Sequence, residues 1–118
     1  SDLNDLIKQY LDKRYPNYTI NQAFDGFQAG KAIADQKPDV VLLDINLPGV
    51  DGYMLCQQIK ADPGLSRPIV IAISGMDDPD VKSKAEAAGA DAFLVKPIKL
   101  EDLPALFERL SEERIRRR

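Results

Sequence analysis

The amino-acid sequence predicts a doubly wound α/β fold, in which helices cover both faces of a parallel sheet. Short runs rich in Val, Ile and Leu alternate along the chain with stretches of helical spacing. This order is typical of parallel strands joined by right-handed helical crossovers. Three of the runs contain no polar residue, as expected for strands buried on both faces. Turn signals such as Pro48-Gly49 and Asp62-Pro63-Gly64 separate the segments.

Five helical segments are expected. In the first, apolar residues recur at i, i+3, i+4, i+7 and i+8, with Ser1 placed as the cap and Pro16 beyond the end. Residues 27–36 form a weaker helical stretch, and Asp51 and Asp78 are placed to cap the third and fourth helices. The apolar positions of the four periodic helices are Leu3, Leu6, Ile7, Tyr10 and Leu11; Met54, Leu55 and Ile59; Val81, Ala85 and Ala88; and Leu103, Leu106, Phe107 and Leu110.

A polar residue comes directly after each of three expected strands. Asp44, Ser74 and Lys96 directly follow the last three strands, and parallel strands end at the edge of an open α/β sheet where ligands bind. A carboxylate can attack phosphorus, an ammonium can hold a phosphoryl oxygen and a hydroxyl can donate a hydrogen bond to another oxygen. The set therefore predicts a site that receives a phosphoryl group on Asp44. The four expected strands are residues 18–23, 40–43, 69–73 and 92–95.

Composition excludes several other kinds of chemistry. The 118 residues contain no histidine and a single cysteine, which excludes Ser-His-Asp and Cys-His catalysis, His-ligated zinc and an internal disulfide. The lone Cys56 agrees with a reduced, cytoplasmic location. No apolar run approaches the roughly 20 residues of a membrane span. A chain of this length is expected to form a single domain over residues 1–118.

Charge is unevenly distributed along the chain. The net charge is −3, and residues 114–118 contain four arginines, so the remainder carries −3 − 4 = −7. Such an acidic surface is unsuited to nucleic acid. Residues 112–118 are interpreted as a basic helix end or the start of a linker.

Three stretches together cover most of the predicted strands and the site: PDVVLLDINLPGVDGYMLCQQIK at 38–60, PIVIAISG at 68–75 and AGADAFLVKPI at 88–98. In residue type, order and spacing they resemble the receiver domains of bacterial two-component response regulators. The resemblance implies a flavodoxin-like (βα)5 architecture, Mg²⁺ as cofactor, and a cytoplasmic phosphoacceptor switch rather than an enzyme. The implied partner is a histidine kinase or a histidine phosphotransfer protein. The resemblance implies no membrane contact, and nucleic acid would be bound only through a further output domain.

Individual site residues follow from the same resemblance. Asp44 is implied as the phosphoacceptor and as a Mg²⁺ ligand, together with the backbone carbonyl of Asn46. Ser74 is implied as the switch hydroxyl that binds the phosphoryl group. Lys96 is implied as the lysine that contacts this group, and its bond to Pro97 is often cis in the family.

Two further positions are implied in switching. Gly75 leaves room for the phosphoryl group, and Phe93 falls at the aromatic switch position, although core packing explains Phe93 equally well. The implied readout surface consists of the fourth predicted helix, the last strand and the last helix. It would serve as a homodimer interface or as a docking site for an output domain.

The chain departs from the family at its start. A receiver begins with a strand ending in two acidic residues, whereas Ser1-Asp2-Leu3 already belongs to the first helix. In the resembling fold, of strand order 2-1-3-4-5, that strand is interior, so a gap of unpaired backbone is expected between the strands at 18–23 and 40–43. Four explanations for the absent strand are considered, and residues upstream of Ser1 are the favoured one. The other three are a truncated or permuted chain, a strand donated by a partner chain, and a sheet that closes with four strands. The Mg²⁺ site is expected to be incomplete, which would slow or abolish phosphorylation.

One alternative function stays open, and two others are disfavoured by the residue at position 46. A pseudo-receiver would be an interaction module that is not phosphorylated, because the acidic pair is missing. A phosphatase of the haloacid dehalogenase type also uses an aspartate at a strand end, but it needs a second acid where this chain has Asn46. A cobalamin-binding module would show Asp-x-His-x-x-Gly, and Asp44-x-Asn46-x-x-Gly49 lacks the histidine.

Overall fold

The computed structural model describes residues 2–23, 35, 37–45, 51–62, 64–65, 68–75 and 77–116. The helix predicted at 27–36 and the cap predicted at Ser1 lie outside these residues, apart from Asp35, which is helical. The described elements, in chain order, are α1 (Asp2–Arg14), β1 (Ile20–Ala23), β2 (Val40–Asp44), α2 (Gly52–Ala61), β3 (Ile69–Ser74), α3 (Pro79–Ala87), β4 (Ala92–Val95), a 3₁₀ helix (Leu100–Asp102) and α4 (Leu103–Arg116).

The strands of the described residues form one parallel sheet in the order β1-β2-β3-β4, which confirms the α/β prediction. β1 pairs directly with β2, from Ile20 opposite Val40 to Ala23 opposite Leu43. The predicted gap between these strands is therefore wrong. A buried, unpaired backbone group costs about 1–3 kcal/mol, and direct pairing removes that cost along both strands. Among the residues that the structure describes, the sheet has four strands, as in one of the arrangements considered from the sequence.

Helices cover both faces of the sheet. On one face Ile7 and Leu11 of α1 and Phe107 of α4 are buried against Ile71 and Ile73 of β3. On the other face the core consists of residues from α2 and the strands, chiefly Leu55, Cys56, Ile59, Val41, Leu43 and Val70.

None of the helices in the described ranges is both long and apolar enough to cross a bilayer.

The starts of α2 and α3 follow the local signals. Asp51 Oδ1 accepts hydrogen bonds of 2.9 and 3.3 Å from backbone amides in the first turn of α2. Asp78 Oδ1 accepts one of 2.8 Å from the amide of Asp80, so both predicted caps are confirmed. Met54, predicted on the apolar face of α2, is 55% exposed, and that prediction is wrong. Adjacent helical residues point about 100° apart, and Leu55 takes the buried direction instead.

At the amino edge of the sheet, where the strands begin, an ion pair links α2 to β3 and β4. Lys60 Nζ lies 2.8 Å from Asp91 Oδ2 and donates to the carbonyl oxygen of Pro68 at 3.2 Å. Asp91 Oδ2 also accepts from the amide of Val70 at 2.8 Å. Gly89, with φ 103°, ends α3 beside this pair, where a Cβ would lie 3.1 Å from Lys60 Cγ. These contacts fix the end of α2 to the starts of β3 and β4.

Candidate functional site

Polar side chains meet at the carboxyl edge of the sheet. Asp44 is the last residue of β2, Ser74 is the last residue of β3, and Lys96 directly follows β4. The sequence placed Asp44 and Ser74 one residue beyond their strands, but each still pairs in the register, with Ile73 and Val95 respectively. Because the strands are parallel, these ends lie at the same edge, where open α/β sheets bind ligands.

Asp44 and Lys96 are in direct contact. Lys96 Nζ donates to Asp44 Oδ2 at 3.3 Å, and the lysine and aspartate side chains are 31% and 21% exposed. The amide of Lys96 donates to the carbonyl oxygen of Ser74 at 2.8 Å, which fixes the lysine relative to β3. The Lys96-Pro97 bond is cis. Charge-assisted N–H···O bonds are usually about 2.7–2.9 Å long, so this contact is long for its type. The carboxylate is thus both reachable from solvent and accompanied by a cation.

Ser74 lies beside this pair but is fully buried. Successive strand residues point to opposite faces, and paired residues share a face. Ser74 therefore shares a face with Val95, while Asp44 shares the opposite face with Ile73. The hydroxyl would have to move toward the edge of the sheet to meet a group carried by Asp44.

A close backbone contact holds the chain just beyond Asp44. Ile45 is 7% exposed, and its amide donates to the carbonyl oxygen of Ile73 at 3.1 Å. Gly52, the first residue of α2, packs so tightly here that a Cβ would lie 2.7 Å from Ile45 Cα and 2.8 Å from its carbonyl oxygen. This contact was not anticipated from the sequence, although a glycine directly after the cap Asp51 was its signal. It seats α2 against the residue next to the carboxylate.

The two positions implied in switching differ in their surroundings. Gly75 is exposed, and a Cβ built on it would meet no atom within 4 Å. Open space therefore lies directly after Ser74. Phe93 of β4 is half-buried and packs against the small cluster of Ile45, Ala72 and Ala85. An apolar path thus runs from the residue next to Asp44 to both α3 and β4.

The described residues do not form a complete magnesium site. Mg²⁺ requires near-octahedral coordination by oxygen, and the described residues contain no group of three or more acidic, His or Cys side chains able to hold a metal. Asp44 supplies one carboxylate at this edge. Asn46 lies outside the described residues.

Comparison with known sequences identifies the kind of domain that carries such an edge. Residues 1–108 match the family described as the response regulator receiver domain. The chain is 42% identical to the DNA-binding response regulator MtrA of Mycobacterium tuberculosis, over 69% of this chain and 34% of that protein. It spans between one fifth and three fifths of the length of the relatives matched.

Solved structures share the architecture. The signal receiver domain of a DNA-binding response regulator from Colwellia psychrerythraea has a TM-score of 0.79 and 35% identity, over 92% of this chain and 88% of that one. The receiver domain of a sensor histidine kinase from Pseudomonas aeruginosa has a TM-score of 0.72 and 28% identity, over 91% of this chain and 86% of that one. The latter structure contains a magnesium ion in the active site cleft of that protein.

Proposed function

The chain belongs to the response regulator receiver domain family, and from this premise we propose that it is a phosphoacceptor switch acting through Asp44. The donor is a phosphohistidine on a histidine kinase or a histidine phosphotransfer protein. The observation that carries this proposal is the accessible Asp44 carboxylate at the ligand edge of the sheet, 3.3 Å from the ammonium of Lys96.

The reaction transfers one phosphoryl group between side chains. An oxygen of Asp44 attacks phosphorus in line with the P–N bond of the phosphohistidine. The O–P bond forms as the P–N bond breaks, and the electron pair of that bond stays on the imidazole nitrogen. The product is an acyl phosphate on Asp44. Lys96 then exchanges its contact with the carboxylate for a phosphoryl oxygen, and the hydroxyl of Ser74 donates to another.

The readout begins with the movement of Ser74 toward the edge. The open space after Ser74, at Gly75, accommodates the phosphoryl group, and Phe93 follows the hydroxyl because both lie on the face covered by α3. The surface that changes is formed by α3, β4 and α4. A groove of about 420 Å³ lies there, and it serves either a second copy of the chain or an output domain. Its lining residues include Lys82, Glu86, Phe93, Leu106 and Arg109.

A pseudo-receiver is the second candidate function. It is favoured by one observation, that no metal-binding group of acidic side chains occurs among the described residues. In this case α3, β4 and α4 would bind a partner without any modification of Asp44. Nucleic acid would be contacted only by a further domain; the relative MtrA is named a DNA-binding response regulator.

Phosphorylation by a small donor separates the two functions. The chain is incubated with phosphoramidate, with and without Mg²⁺, and its intact mass is measured. We expect a gain of one phosphoryl group that is absent in Asp44→Asn and at least tenfold slower in Lys96→Ala, since a single electrostatic contact to the transferred group contributes roughly 2.7–4 kcal/mol to a rate. The absence of any mass gain at saturating donor and Mg²⁺ would favour the pseudo-receiver.

A further inference from the structure

The groove between α3, β4 and α4 lies along the outer edge of the sheet. Among the described strands, β4 is at one end of the order and pairs with β3, and all four of its residues are half-exposed. The segment 90–94 forms one wall of the groove. Lys82 and Glu86 of α3 and Leu106 and Arg109 of α4 form the others. Residues three or four positions apart lie on one face of a helix, so each helix turns a single face toward the groove.

The apolar lining of the groove comes from both faces of the sheet. Phe93 belongs to the small cluster covered by α3, whereas Leu94 and Leu106 belong to the cluster on the opposite face. All three side chains are half-buried, so each keeps part of its surface available to a ligand. The volume of about 420 Å³ falls within the roughly 300–1,000 Å³ of typical small-molecule pockets. The groove can therefore bury the apolar body of a small ligand.

The polar lining carries more positive than negative charge. Asp91 is already paired with Lys60 at 2.8 Å, and Lys82 and Glu86 are 4.0 Å apart with side chains 62% and 59% exposed. Arg109 is exposed, and none of the ion pairs among the described residues involves it. With Lys60 included, three cations and two acids meet here, a net charge of +1, whereas the whole chain carries −3. Such a local positive field on an acidic domain attracts anions.

We propose that the groove binds a small amphipathic anion, a molecule with an aromatic or aliphatic body and one carboxylate, sulfonate or phosphate group. The guanidinium of Arg109 donates to the anionic group through its planar fork. The body of the ligand lies against Phe93, Leu94 and Leu106. Binding does not depend on phosphorylation of Asp44. Because the groove belongs to the surface proposed above for readout, a bound ligand competes with a protein partner of that surface.

Two fluorescent probes with the same ring system isolate the contribution of charge. Anilinonaphthalene sulfonate is an anion and phenylnaphthylamine is uncharged, and both become fluorescent in an apolar site. We expect the unaltered chain to bind the sulfonate more tightly. Arg109→Gln should raise the Kd of the sulfonate about tenfold, because one charge-assisted contact is lost. It should change the Kd of the uncharged probe by less than about twofold.

Variants of neighbouring residues test the sign of the charge effect. Lys84→Gln removes an exposed cation of α3 that does not line the groove, and it is the matched control, with a sulfonate Kd within about twofold of the unaltered chain. Glu86→Gln should lower the Kd of the sulfonate about twofold to threefold, since it removes a like charge that faces the anion. Leu106→Ala should raise the Kd of both probes, because both use the same apolar wall.

Backbone amide NMR signals locate the bound sulfonate. We expect the largest shifts in the segment 90–94. Largest shifts around Leu6 and Met54, whose side chains are 53% and 55% exposed, would instead show adsorption to exposed apolar side chains and would overturn the proposal.

Three results of the titrations would also overturn it. They are the absence of sulfonate binding, equal sulfonate Kd values in Arg109→Gln and Lys84→Gln, and an uncharged probe that binds as tightly as the sulfonate. All measurements use the unphosphorylated chain, so none of these results bears on the assignment of Asp44 as the phosphoacceptor.

Discussion

The sheet has an Asp–Lys pair near each of its two edges, and the two pairs are held differently. At the amino edge, Lys60 and Asp91 are 2.8 Å apart, and both also bond to the backbone, through Pro68 and Val70. At the carboxyl edge, Lys96 and Asp44 are 3.3 Å apart. The side chains of the first pair are 25% and 17% exposed and those of the second 31% and 21%. Similar exposure therefore accompanies Nζ–Oδ2 distances of 2.8 Å in the first pair and 3.3 Å in the second.

The difference indicates which pair holds the fold and which can change partner. Asp91 accepts from both an ammonium and a backbone amide through one oxygen, so its removal leaves a strand donor unpaired. The contact between Lys96 and Asp44 is longer and lies at the ligand edge. Its loss on phosphorylation is offset by a new contact between the lysine and the phosphoryl group. Lys60 and Asp91 therefore form a structural pair, whereas Lys96 and Asp44 form the reactive pair of the proposed switch.

The largest predicted effect comes from removing one acid of each pair. Asp91→Ala should lower the free energy of unfolding by about 3 kcal/mol, because it leaves the Val70 amide unpaired and removes the carboxylate that neutralises Lys60 in a mostly buried position. Asp44→Ala should lower it by less, because the contact between Asp44 and Lys96 is, at 3.3 Å, the longer of the two. Urea denaturation followed by circular dichroism measures both values.

Asp91→Asn serves as the control for this comparison. Its amide oxygen can still accept from the Val70 amide, so it should recover part of the stability lost in Asp91→Ala. Equal losses in Asp91→Ala and Asp44→Ala would contradict the distinction between a structural and a reactive pair.

Two glycines near the carboxyl edge provide the next test. Gly52→Ala places a Cβ 2.7 Å from Ile45 Cα, and displacing backbone in this way should cost roughly 1–3 kcal/mol. Gly75→Ala meets no atom within 4 Å and should cost less than about 0.5 kcal/mol. Thermal unfolding of the two variants measures the difference. A Gly52→Ala variant as stable as Gly75→Ala would show that α2 is not seated tightly beside Asp44.

The last prediction concerns Cys56, which lies in the core beside the structural pair. Burial raises the pKa of its thiol to about 11, and the nearby Asp91 carboxylate also raises it, while Lys60 lowers it. The thiol contributes stability that is complete below its unfolded pKa of 9.0 and is lost as pH rises through about 11. At pH 8, alkylation by iodoacetamide should be roughly a hundredfold slower in the folded chain than in urea. Equal rates would contradict this environment.

Local signals in the sequence were sufficient for the helix starts but not for every packing choice. Asp51 and Asp78 cap their helices as predicted, since a cap depends on residues within one turn. Met54 was placed wrongly because the apolar run Tyr53–Cys56 does not by itself specify which of its residues face the core. The predicted gap between β1 and β2 was wrong because buried backbone N–H and C=O groups need hydrogen-bond partners. Direct pairing of β1 with β2 supplies these partners, and no local sequence pattern specifies that pairing.

The site was predictable to the extent that topology determines it. Parallel strands bring Asp44, Ser74 and Lys96 to one edge, and this placement follows from strand order alone. The pair of Lys60 and Asp91 joins residues 31 positions apart, and no local pattern marks it. The roles of Ser74, Lys96, Gly75 and Phe93 in switching stay predictions, and Asn46 lies outside the described residues.

Identifying the phosphorylated residue tests the central claim most directly. The chain is treated with phosphoramidate, and the acyl phosphate is reduced with borohydride, which converts a phosphorylated aspartate to homoserine. Peptide mass spectrometry then locates the homoserine. We predict homoserine at position 44 and aspartate retained at Asp51, Asp78 and Asp91. Homoserine at any of these other positions, or none in the chain, would contradict the assignment of Asp44 as the acceptor.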